Sequence, residues 1–271
     1  MLKNRVYTVI FLNSLFYFFC AYFILFFISS IGIAVSASAF SIPVRIYYHE
    51  IHYLIRNSDW SPDAVTVVFG TGPMLCLTLG LITFIVFLSV ATEKGILRIL
   101  LVWLIILAIV NFLGELIIGS LMNQGFGYVI MYMFIMDTGR VVLTLLGAIL
   151  LFIAGLTLSR KLLFIANTYF SDLKGIEKTR FIIYQYFFPY LAGILILQLI
   201  ELPKISWFPT LVRICGIIFM IPVFSRSLSL QDIYFEEETP DVSLSWKAAL
   251  AALALLLLYR VVFGFGVRFI L

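Results

Sequence analysis

The chain has 271 residues, of which 63% are hydrophobic and only 12% charged, with a mean hydropathy of +1.13. A soluble domain runs at roughly 45–50% apolar and about 25% charged, so a water-soluble fold is excluded. The net charge of +4 comes without a basic patch or a recognisable binding module, which removes nucleic acid from the expected partners.

What remains is a lipid bilayer, with other membrane proteins as further possible partners. In a bilayer core every backbone N–H and C=O must be satisfied within its own segment or in a closed barrel. The apolar runs are continuous and lack period-two alternation, so helices are expected rather than barrel strands. The fold class is therefore all-α, a polytopic transmembrane bundle of about seven spans. In chain order they cover 7–40, 64–91, 99–122, 128–158, 181–200, 207–224 and 248–270.

The first segment follows Lys3 and Arg5. Its apolar run far exceeds the 7–15 residues of a secretory h-region, so it reads as an uncleaved anchor despite the small residues Ala37-Ser38-Ala39. With the N-terminus inside, eleven Lys and Arg residues fall in inner stretches against four in outer ones (Arg45, Arg56, Lys204 and Arg268). The positive-inside rule then places the N-terminus in and the C-terminus out. The chain divides into a four-span region 1–158, an inner connection 159–180, and a three-span region 181–271. The acidic loop at 236–241 reads as a solvated linker.

In the first outer loop, residues 45–57 are expected to form an interfacial amphipathic helix, with Arg45, His49, His52 and Arg56 on one face and the tyrosines as anchors. The alternative is a metal site, because His49 and His52 at i and i+3 can reach one ion with Glu50 beside them.

The first four segments exceed the roughly 20 residues that cross a 30 Å core. Counting from their inner charges places the surplus on the outer side, at Gly70-Thr71-Gly72-Pro73 in the second and Asp137-Thr138-Gly139 in the fourth. Broken or re-entrant helices are expected there, forming a concave outer face. Glu115 lies about 24 Å in from Arg98 at helical rise, Asn111 lies one turn deeper on the same face, and Asp137 and Arg140 can pair at i, i+3. These four define an expected outward-facing polar pocket, with structural ion pairing as the alternative. Cys20, Cys76 and Cys215 read as small apolar side chains without redox or metal work. Phosphate-binding loops and nucleophile elbows are missing.

The run Tyr48-His49-Glu50-Ile51-His52-Tyr53, then Gly72-Pro73, Asn111 and Asp137-Thr138-Gly139, resembles the motif series of site-2-protease-like intramembrane metallopeptidases. That resemblance, over roughly residues 40–140, implies a zinc cofactor held by His49, His52 and Asp137, with Glu50 as the catalytic base. The histidine spacing departs from the family's i, i+4 pattern, Thr138 interrupts the Asp-Gly pair, and the family's site lies towards the inner side. Over most of its length the chain is also similar to multi-span membrane proteins of Bacteroidota-type bacteria that share Trp60-Ser61-Pro62-Asp63 and Gly125-Phe126-Gly127-Tyr128. This likeness implies the bacterial inner membrane and no activity. Without the zinc reading no cofactor is expected.

Overall fold

The computed structural model describes residues 2–90, 97–235 and 242–269. The side chain of Lys3, with Glu93, Lys94 and the acidic loop at 236–241, lies outside it. The described chain is a helical bundle: α1 (Leu2–Ala39), α2 (Pro62–Ser89), α3 (Leu97–Met122), the short α4 (Phe126–Tyr132), α5 (Asp137–Leu163), α6 (Ile176–Ile182), α7 (Phe188–Glu201), α8 (Trp207–Ile214), α9 (Gly216–Ser229) and α10 (Trp246–Val262).

Among the described residues, six helical spans are long and apolar enough to cross a membrane, with α6–α7 and α8–α9 each counting as one. The expected seventh, at 248–270, is shorter than these six. It forms the 17-residue α10, about 26 Å at 1.5 Å per residue, and then leaves the helix at Gly264-Phe265-Gly266. Gly266 adopts φ +77°, in the region that glycine enters without steric cost, and strand β5 (Val267–Phe269) follows.

The breaks also divide. The fourth segment is interrupted as expected: α4 ends before Met133, and α5 starts at Asp137 with Met136 as its N-cap. The second is not. α2 runs unbroken through Gly72-Pro73, starting instead at Ser61, whose hydroxyl accepts from the Ala64 N–H at 3.1 Å, with Pro62 in the first turn. A first-turn proline costs no hydrogen bond, and the interior Pro73 is buried against neighbours, where helix-breaking residues are tolerated.

α3 is the most enclosed of the six spans and α5 the least. The side chains that α5 exposes include Val141, Val142, Leu145, Leu146, Ile149 and Ile153, a lipid-facing stripe at helical spacing. Between α6 and α7 the backbone widens into a π-turn, Ile183–Phe187. Pro189 has no N–H to donate four residues back to the Gln185 carbonyl, and the Ser14 hydroxyl donates to that oxygen instead. Ser14 also accepts from Trp103 Nε1–H at 2.9 Å, so one buried hydroxyl joins α1, α3 and the π-turn.

Small antiparallel sheets tie the two ends of the bundle. At one end β1 (Val44–Ile46) pairs with β2 (Ile51–Tyr53) and with β5. At the other, β3 (Asp172–Leu173) pairs with β4 (Ile233–Tyr234). The expected interfacial helix over 45–57 is thus a β-hairpin. Its tight turn is closed by the Tyr47 N–H donating to the Glu50 carbonyl at 2.9 Å, and the alternation of buried Val44 and Ile46 around Arg45 supplies the strand period.

Candidate functional site

Beneath this hairpin lies a cavity of about 770 Å³. Its walls come from α1, α2, α3, α4, the hairpin and the α7–α8 region, so the expected N-terminal pocket also has C-terminal walls. Gly125 begins the α4 wall at φ +53°. A side chain there would meet the Phe208 ring and Glu115 Oε2 at 2.7 and 3.1 Å, so glycine is required both by backbone and by space.

Asn111 and Glu115, one turn apart on α3, both face the cavity. Glu115 accepts a long hydrogen bond from the Phe126 N–H at 3.4 Å, and Asn111 Nδ2 donates to Cys76 Sγ at 3.7 Å. Asp137 and Arg140 do not join them. They pair with each other at 3.4 Å, with the Asp137 carboxylate almost fully exposed, and neither lines the cavity. Two of the four expected pocket residues are therefore inside it and two form an ion pair at the α5 start, where an acid also complements the helix dipole.

Four aromatic rings in series share the lining with Glu115: Tyr53 against Trp60 at 5.3 Å, Trp60 against Phe69 at 5.3 Å, and Phe69 against Tyr128 at 4.8 Å between centroids. Burial and the neighbouring Glu115 charge push the Tyr53 phenol above its ordinary value, so it remains a neutral hydrogen-bonding group.

Arg213, which also lines the cavity, belongs to a pair that the spacing of the sequence does not single out. Arg213 Nη2 meets Glu201 Oε1 at 2.5 Å, with the two side chains 12% and 1% exposed. The Arg213 guanidinium lies over the Tyr22 ring at 5.3 Å, and the Tyr259 hydroxyl lies 3.4 Å from the same carboxylate oxygen. The available signal was an acid and a base at membrane depth on adjacent segments.

His49, Glu50 and His52 gather at the cavity mouth. Glu50 Oε1 lies 2.9 Å from His49 Nε2 and 2.6 Å from His52 Nε2, and one donor atom from each residue lies within 4.8 Å of the others. The hydrogen bond from His52, outweighing partial burial and aided by the nearby His49, holds the Glu50 carboxyl below its ordinary value. This trio could hold a small divalent cation. It does not fit the implied peptidase centre: Glu50 sits among the ligands rather than apart as a base, and Asp137 is not in the cluster. A second hollow shares His49, Glu50, Gln124, Ser206 and Phe208 with the cavity and continues past Lys204 and Trp207, which places His49 and Glu50 at the cavity entrance.

The class that fold and site define is a multi-span helical membrane protein with an internal polar and aromatic cavity near one end. Compared with family models, curated proteins and solved structures, the chain finds no match.

Proposed function

We propose that this protein is a non-enzymatic inner-membrane protein that binds a small molecule in the cavity beneath the β1–β2 hairpin, as a transporter-like carrier does. Its mouth faces the outer side, which follows from the charge bias: Arg160 and Lys161 end α5 at the β3–β4 end, and the hairpin lies at the opposite end. The observation that carries the reading is Glu115, a carboxylate facing the cavity from within a membrane span. Such a residue is expensive unless it is used. The volume lies within the roughly 300–1,000 Å³ of small-molecule sites, and mostly apolar walls with a few convergent polar groups are the usual lining.

The test is thermal unfolding of detergent-purified protein against a panel of cationic, neutral and anionic amphiphiles. A ligand at about 100 times its dissociation constant adds about 2.7 kcal/mol. At least one member should raise the Tm, and Asn111→Phe, which fills the cavity, should abolish the rise. A panel without effect, or shifts that survive Asn111→Phe, would overturn the reading.

A further inference from the structure

We infer that the ligand this cavity selects is an organic cation, an ammonium centre carrying apolar substituents. This rests on the cavity being a binding site and adds its chemical class.

The charges around the cavity decide the class. Arg213 lines it but is matched by Glu201 at 2.5 Å. Glu50 at the mouth is bracketed by His49 and His52. Glu115 has no cationic partner among the described residues: its hydrogen bond comes from the Phe126 backbone at 3.4 Å, and the groups around it are the Asn111 amide, the Cys76 thiol and the Tyr53 phenol. The lining therefore holds one carboxyl, deep among apolar walls, that has neither a cationic nor a histidine partner among the described residues.

A carboxylate in that setting either takes a proton or meets a cation. The walls favour the cation. Tyr53, Trp60, Phe69 and Tyr128 form a continuous aromatic surface with neighbouring centroids 4.8 to 5.3 Å apart, and all four line the cavity with Glu115. Aromatic faces attract ammonium groups through the ring quadrupole, and surfaces of this kind recognise quaternary ammonium. A small hydrated inorganic ion gains little from four rings, and an anion would oppose Glu115 with Arg213 already neutralised. An ammonium bearing a ring or alkyl groups uses both features together.

Benzyltrimethylammonium, benzyl alcohol and benzoate share a ring and differ in charge. Each is titrated into the purified full chain, followed by tryptophan fluorescence and by thermal shift. Benzyltrimethylammonium should bind at least tenfold tighter than benzyl alcohol, and benzoate should not bind. Glu115→Gln should remove most of the cation's advantage while leaving benzyl alcohol unchanged. Should Glu115→Gln fail to fold, Trp60→Leu keeps the charge, thins the aromatic wall and should weaken the cation more than the alcohol. Equal binding of alcohol and cation, or binding of benzoate, overturns the cation class and leaves the cavity as a binding site. No binding by any of the three overturns both.

Discussion

The hydroxyl of Tyr259 donates to the carbonyl of Tyr48 at 2.6 Å, joining α10 to the hairpin turn across 211 residues of sequence. The same hydroxyl approaches Glu201 at 3.4 Å, and Arg260 donates to the Leu202 carbonyl at 2.8 Å while stacking over Tyr48 at 4.3 Å. The final helix thus holds both the roof of the cavity and the loop beside its mouth. Tyr259→Phe should cost about 1–2 kcal/mol, the consequence of leaving a buried carbonyl unpaired, read as a lowered Tm in detergent. An unchanged Tm would mean that the roof is held by the β1–β5 pairing alone.

Arg213→Met leaves Glu201 buried without its counter-charge and should destabilise by about 3–5 kcal/mol. Glu201→Met combined with Arg213→Met removes both charges and should recover most of that loss, because the two sites are in direct contact and do not add. A double variant as unstable as the sum of the singles would contradict the pairing.

Ser14→Ala removes two hydrogen bonds at once, the acceptor of Trp103 and the donor to the Gln185 carbonyl. A loss of about 1–3 kcal/mol is expected. Trp103 fluorescence should shift with it, since the indole N–H loses its partner.

Much of this was legible beforehand, for identifiable reasons. Continuous apolar runs report the membrane class directly, and counting depth from Arg160 located the break before α5 because a span has a nearly fixed length. Counting back from Glu93 and Lys94 misplaced a break at Pro73, because a buried proline can sit within an unbroken helix. The hairpin was hidden for another reason. Arg45, His49, His52 and Arg56 repeat at helical spacing, whereas the β-strand state of Val44–Ile46 is stabilised by Val267–Phe269, more than 200 residues away. Gly-Phe-Gly occurs twice, at 125–127 and 264–266, and each run supplies a left-handed glycine, Gly125 or Gly266, at the edge of a helix. The Glu201–Arg213 pair eluded spacing arguments because its partners lie on separate elements, α7 and α8.

Because the Glu50 carboxyl is held below its ordinary value of 4.5, its bonds to His49 and His52 are fully present above that value and lost as pH falls through the lowered one. Maleimide needs a thiolate, so the mouth is followed with a spin label placed on Gln124→Cys at neutral pH. Its mobility should rise only in strongly acidic buffer, and Glu50→Gln should show the mobile spectrum at every pH.

In the proposed non-enzymatic role the His49–Glu50–His52 trio serves the mouth through its own hydrogen bonds. Metal analysis of purified protein should find zinc well below one ion per chain. One zinc per chain that disappears in a His49→Ala, His52→Ala double variant would contradict that role and favour a metal-dependent one.

The central claim, a cavity that opens on the outer side at the hairpin end, is tested most directly by sided labelling. Gln124→Cys at the mouth and Ser171→Cys beside β3, both exposed positions, are treated at neutral pH with a membrane-impermeant maleimide in sealed vesicles of each orientation. Gln124→Cys should label only in right-side-out vesicles and Ser171→Cys only in inside-out ones; labelling of both from one side, or the reverse pattern, would contradict the account.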